Sequence, residues 1–118
     1  MDKPTYCTDP HDSEKLIAAI KDSLLSVENA TLIADTLSTL SDPTRIRVIG
    51  LLAESELCVG DLCLVLKMTQ PAISHHLRIL RNLKIVAARK AGRHVFYTLA
   101  DQHILDIFNQ SLDHARHN

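Results

Sequence analysis

Four side chains near the C-terminus have the types and the spacing to hold a metal ion. They are Asp101, His103, His114 and His117, in the pattern D-x-H-x10-H-x2-H. One carboxylate and three imidazole nitrogens make a tetrahedral zinc set. On a helix running from about residue 101 to 116, His114 falls about 20° from His103 around the axis and His117 about 40° to the other side. The imidazoles then form one narrow stripe, bordered by an apolar arc of Ile104, Ile107, Phe108, Leu112 and Ala115. Along the axis, however, His103 and His114 are roughly 16 Å apart, whereas zinc–nitrogen bonds are about 2 Å long. One ion cannot reach both within one helix. An antiparallel copy of the helix removes the difficulty, because it sets Asp101 and His103 of one subunit beside His114 and His117 of the other. Two-fold symmetry gives two equal sites, and the apolar arc becomes the seam of a homodimer. Each residue also has a plainer role open to it: Asp101 as a helix N-cap, His114 and His117 as complements to a helix dipole, His103 as a surface histidine.

A second cluster is thiol-based. Cys58 and Asp61 are three apart, on one face if the segment is helical, and Cys7 and His11 are four apart near the N-terminus. Together they offer two sulfurs, one nitrogen and one oxygen, a set that suits zinc and softer ions. On the residues alone, Cys58 reads rather as a small core residue. Cys63 would lie about 140° around the helix from Cys58, too far to join the same site, and is expected beside Leu62 and Leu66. Three cysteines cannot all pair within one chain and nothing points to secretion, so reduced thiols and a cytoplasmic location are expected.

The elements that must position these groups are short helices and one hairpin. Residues 1–12 are polar, contain Pro4 and Pro10, and read as a flexible N-terminal arm. Residues 13–118 read as one domain. Ser13 is placed to cap a helix with Leu16, Ile17, Ile20 and Leu24 on one side. A second helical pattern covers about 29–40. Asp42 followed by Pro43 is a helix start, and the helix it begins should turn Ile46, Ile49 and Leu52 inward and Arg45 and Arg47 outward. Val59, Leu62 and Leu66 share a helical face. After Lys67-Met68-Thr69, the segment Gln70–Asn82 repeats apolar residues at Ile73, Leu77 and Leu80, leaving Gln70, Ser74, His75, Arg78 and Arg81 outside. Two short helices joined by a three-residue turn, the second polar and basic outside, form a helix-turn-helix. Two β-prone runs around Ala91-Gly92 follow, with a basic tip of Arg89, Lys90 and Arg93, and indicate a hairpin. The fold expected is mainly α with a β-hairpin wing: a winged helix-turn-helix, with dimerisation helices at about 13–40 and 101–117.

Length and charge bound the function. The chain has 118 residues, 46% apolar and 23% charged, which fits one folded domain and excludes a multidomain enzyme. No apolar run reaches the roughly 18–20 residues of a membrane helix. The net charge is −1, yet Leu62 to Ala100 holds seven basic residues and no acidic one. A basic face on a mildly acidic body is the footprint of phosphate-backbone binding. A small hydrolase using Cys58 or Cys63 with a histidine is disfavoured: no glycine-rich oxyanion loop is visible and little room remains for a cleft.

Several stretches resemble one family, the ArsR–SmtB metal-sensing repressors. They are Leu40-Ser-Asp-Pro-Thr-Arg45, Ser55-Glu-Leu-Cys-Val-Gly-Asp-Leu62, Gln70-Pro-Ala-Ile-Ser-His-His-Leu77, Leu80-Arg-Asn-Leu83 and Gly92-Arg-His-Val-Phe-Tyr97. The resemblance spans roughly 30 to 117, and more loosely the arm, and within the family the chain is similar to the cyanobacterial zinc sensors. It implies a dimeric winged-helix repressor of metal-efflux or metallothionein genes that leaves its double-stranded operator when metal binds. It also implies a C-terminal helix site at Asp101, His103, His114 and His117, where some relatives have Glu in place of His117. The family's other site falls on Cys7, His11, Cys58 and Asp61. Cadmium and lead sensors have a further Cys where this chain has Gly60, which favours zinc, with Cd, Pb, Cu or Co as substitutes. The DNA-reading positions map to Gln70, Ser74 and His75, with Arg78 on phosphate and Arg89, Lys90 and Arg93 holding the wing. The competing reading is a repressor answering a soft metal or an oxidant through Cys7 and Cys58.

Overall fold

The computed structural model describes residues 13–117. The chain divides into two units, Met1–Ile33 and Ala34–Asn118. In the first unit, α1 (Ser13–Ile20) is followed by a 3₁₀ turn, Lys21–Ser23, and by the start of α2 (Val27–Leu40). The 3₁₀ turn ends the pattern before Leu24, so the first helix is shorter than its apolar spacing suggests. Its large apolar side chains, among them Leu16, Ile17, Ile20 and Leu24, are exposed in the single chain.

The second unit continues from the end of α2 through α3 (Pro43–Glu54), β1 (Leu57–Cys58), α4 (Val59–Leu66), α5 (Gln70–Asn82), β2 (Val86–Ala91), β3 (His94–Leu99) and α6 (Gln102–Arg116). Its helix starts follow local chemistry. Asp42 caps α3, accepting from Thr44 N at 2.8 Å and Arg45 N at 3.2 Å, with Pro43 at the first helical position. Thr69 caps α5 through a bond from Ala72 N. Between α4 and α5, Lys67 takes a left-handed φ of 54° that closes α4, so the predicted three-residue turn is the observed one.

Val48, Ile49 and Leu52 of α3, Leu62 and Leu66 of α4, Ile73, Leu77 and Leu80 of α5, and Ile85 and Val86 form the core. The three-stranded antiparallel sheet has the order β1-β3-β2. In its hairpin, Gly92 takes φ +62° as the first residue of a two-residue turn, where a primed turn needs a glycine. The strand β1 was not expected from sequence: two residues are too short to show alternation, and only pairing of Leu57 with Tyr97 and Cys58 with Phe96 makes it a strand.

Two expectations for α3 are corrected. Ile46 is 40% exposed while Val48 is fully buried, because the core meets α3 on the arc Val48–Ile49–Leu52. Arg45, expected outward, is half-buried and hydrogen-bonded to His76 and to the Thr39 carbonyl.

Candidate nucleic-acid interface and metal ligands

Helix α5 is built to present one face. Its apolar residues at Ile73, Leu77 and Leu80 are each no more than 1% exposed, which leaves Gln70, His75 and Arg78 in solvent and Ser74 half-buried. At its C-terminal end, Ser74, Arg78, Arg81 and Asn82 of α5 and Tyr97 of β3 line a polar recess of about 350 Å³. Two guanidiniums with hydroxyl and amide groups beside them match a phosphate in charge and hydrogen bonding. Tyr97 and Asn82 were not singled out in the sequence. Asn82 lies one turn from Arg78 on the same helix, whereas only the fold brings Tyr97 to Arg78.

The wing tip carries Lys90 and Arg93 in solvent. Arg89 is engaged differently. It donates to Glu56 from Nε at 3.1 Å and from Nη2 at 2.5 Å, and its guanidinium lies 5.2 Å from the centre of the Phe96 ring. The Arg89 hydrogen bonds hold the Glu56 carboxyl below its ordinary value, and Glu56 in turn raises Arg89. Glu56 lies outside the acid-free stretch, so the charge map of the sequence could not show this pairing.

The residues of the two predicted metal clusters are placed as follows. Asp101 caps α6, accepting from Ile104 N at 3.3 Å, and its Oδ1 is also 3.3 Å from His103 Nδ1. These two therefore sit side by side at one end of α6, with the His103 side chain 88% exposed. His114 and His117 lie exposed at the other end, and His117 Nδ1 is 2.6 Å from the Asp113 carbonyl oxygen. Among the described residues of the single chain, no three His, Cys, Asp or Glu side chains come together as a metal-holding group.

In the other cluster, Cys58 ends β1 and caps α4, so it is not on the helix face that the three-residue spacing suggested. Asp61 nevertheless reaches it: Cys58 N donates to Asp61 Oδ2 at 3.1 Å. Hydrogen bonds from the Cys58 backbone and then its thiol lower the Asp61 carboxyl, and His94 on the wing adds a smaller pull in the same direction. Cys7 and His11 lie outside the described residues. Cys63 is half-buried against the core, beside Leu62 as expected.

A family model described as "Bacterial regulatory protein, arsR family" matches residues 42–88. The chain is 36% identical over 110 residues to the "Transcriptional repressor SmtB homolog" of Synechocystis sp., covering 93% of this chain and 83% of that protein. It belongs to the arsR family. The regulator is also 36% identical to the "Cadmium resistance transcriptional regulatory protein CadC homolog" of Staphylococcus aureus, over 87% of this chain and 84% of that one. In fold it is similar to the homodimeric winged helix-turn-helix DNA-binding domain of a possible ArsR-family regulator from Mycobacterium bovis. That match has a TM-score of 0.71 at 23% identity, covering 79% of this chain and 89% of the other. The arsR-family chain is therefore a winged helix-turn-helix transcriptional regulator that binds DNA, not an enzyme. Among its described residues, no helix is long and apolar enough to cross a membrane.

Proposed function

We propose that this regulator is a zinc-responsive repressor in the cytoplasm, whose metal-free homodimer holds a two-fold operator and releases it when α6 binds zinc. The observation that carries the reading is the placement on α6. Asp101 and His103 are paired at 3.3 Å at one end, and His114 and His117 are exposed at the other. Beside them runs an apolar groove of about 400 Å³, lined by Leu37, Ile46, Ile107, Phe108 and Leu112 among others. An apolar groove bordered by exposed candidate ligands fits the seam of an antiparallel helix pair. The donor set, three nitrogens and one carboxylate, suits a tetrahedral zinc ion. Holding it between Asp101 and His103 of one subunit and the partner subunit's His114 and His117 would tie the two α6 helices together. Residues 1–12 serve as the arm, and α1, α2 and α6 supply the dimer contacts.

On DNA, Gln70, Ser74 and His75 read base edges in the major groove. Arg78, with Arg81 and Tyr97, takes a phosphate at the end of α5, and Lys90 and Arg93 hold the wing to the backbone. Arg89 reaches DNA only by leaving Glu56. Release by metal requires that the ion prefer the dimer geometry that does not bind DNA, since a ligand shifts an equilibrium only by differential affinity.

The test titrates zinc into reduced, metal-free protein bound to a DNA duplex that it enriches from a random-sequence library. Zinc is expected to free the wild type and leave the double variant His103→Ala/His114→Ala bound. The similarity to a cadmium-resistance regulator and the Cys58–Asp61 bond support a second reading. In that reading a soft metal or an oxidant acts through Cys7, His11, Cys58 and Asp61. Equal release of both proteins by zinc, together with loss of release after thiol blocking, would establish that reading instead.

A further inference from the structure

The guanidinium of Arg45 donates in two directions. Its Nε gives a hydrogen bond to Nδ1 of His76 on α5 at 3.1 Å, and its Nη1 gives one to the carbonyl oxygen of Thr39 at 3.1 Å. Thr39 lies in the last turn of α2, where carbonyls lack a partner within their own helix. One side chain thus joins the end of α2, the start of α3 and the middle of the recognition helix. Asp42 prepares it, since its carboxylate accepts from the backbone N–H of Arg45 and fixes the turn on which Arg45 stands.

The rest of α5 is held to the core through Ile73, Leu77 and Leu80. Apolar contact is non-directional, so it fixes the depth of the helix better than its rotation. A hydrogen bond is directional, and His76 sits at the edge between the buried Leu77 and the exposed His75. We infer that the Arg45–His76 hydrogen bond sets the roll of the recognition helix. Arg45 and His76 are positioning residues for operator reading, and neither is placed among the groups that touch DNA. A small roll would carry Gln70, Ser74 and His75 together off the base edges while leaving the basic surface intact. The bond needs His76 with Nδ1 free to accept, so the ring carries its proton on Nε2. Lysine cannot replace the fork of Arg45, which serves two acceptors in fixed directions.

The inference rests on the DNA-reading part of the proposed function, and its test separates the two. The wild type, His76→Leu, His76→Gln and Arg45→Met are compared as full-length metal-free dimers, well below their unfolding temperatures. Affinity is measured for the library-enriched duplex and for random duplex across a salt series. His76→Leu and Arg45→Met are expected to lose roughly tenfold for the enriched duplex, the scale of a hydrogen bond from a charged donor. Their affinity for random duplex and their salt slopes should stay unchanged. His76→Gln, whose amide oxygen accepts in place of Nδ1, is expected to restore binding. If Arg45→Met does not fold, the two His76 variants decide alone.

Three results would overturn the inference while leaving the DNA-reading proposal standing. Folded His76→Leu could bind the enriched duplex as the wild type does and show only a lower melting temperature, which is what a merely structural role predicts. The salt slope of Arg45→Met could fall by about one, marking a phosphate contact. His76→Gln could fail alongside His76→Leu. A wild type that enriches no duplex would sink the DNA-reading proposal and this inference with it.

Discussion

Two carboxylates show at the residue scale how local bonds set a pH response. Asp42 is lowered from 3.8 first by the Arg45 backbone hydrogen bond, with further help from Thr44, His76 and Arg45 charge. Glu56 is lowered from 4.5 by the hydrogen bonds and charge of Arg89. Both folded values lie below the unfolded ones. The stability each group contributes is therefore present above its ordinary value and is lost as pH falls through the depressed folded value. Thermal unfolding from pH 7 down to pH 3 should show this. Glu56→Gln, which cannot ionise, is expected to melt below the parent at neutral pH, and the gap should close as the solution is acidified. Because the pair is exposed, added salt should shrink the gap as well. A gap that stays constant with pH would mean that the charge of Glu56 adds nothing.

At the scale of elements, the meeting of α3 and α6 turns on one small residue. A Cβ built on Gly50 would stand 3.1 Å from Phe108 Cζ, so the absence of a side chain on α3 lets the ring of α6 lie close. Gly50→Ala gains about 1 kcal/mol of helix propensity and asks the ring to yield slightly. Its stability in denaturant should stay within about 1 kcal/mol of the parent, the gain and the crowding opposing each other. Gly50→Ile cannot be accommodated that way and should cost roughly 1–3 kcal/mol, the scale of overpacking. Should Gly50→Ile prove as stable as the parent, the approach of α6 to α3 is looser than the contact implies. The same elements show what local sequence specifies. Asp42-Pro43 and Thr69-Gln70 set the starts of α3 and α5 because capping needs only neighbouring backbone N–H groups.

For the whole molecule, the groove beside α6 is the feature a single chain leaves unfilled. Ile107 is 44% and Leu112 is 36% exposed, on the helix that carries the predicted ligands. Ile107→Asp with Leu112→Glu would place charge in the proposed seam. Since neither side chain belongs to the buried core, the fold should persist while dimerisation fails. Sedimentation should then report a monomer at concentrations where the wild type is dimeric, and operator affinity should fall with it, because each subunit holds only one half-site. A variant that stays dimeric and binds the operator normally would move the seam elsewhere.

The sequence by itself determined the order of the elements, the turn between α4 and α5, the core residues Ile73, Leu77 and Leu80, and the hairpin at Gly92. It also showed that Asp101, His103, His114 and His117 could not serve one ion within one chain. These follow from periodicity, capping and helical rise, which act over a few residues. Tertiary structure alone decided the rest. The strand β1 exists only because β3 lies beside it. Arg45 turned inward, although its position on an amphipathic helix pointed outward, because the end of α2 and the ring of His76 together offered two acceptors. Arg89 is neutralised by Glu56, thirty-three residues away in sequence, and Tyr97 meets Arg78 and Arg81 around one recess. A long polar side chain goes where its hydrogen bonds are satisfied, and its partners in these cases come from segments that only the folded core brings together.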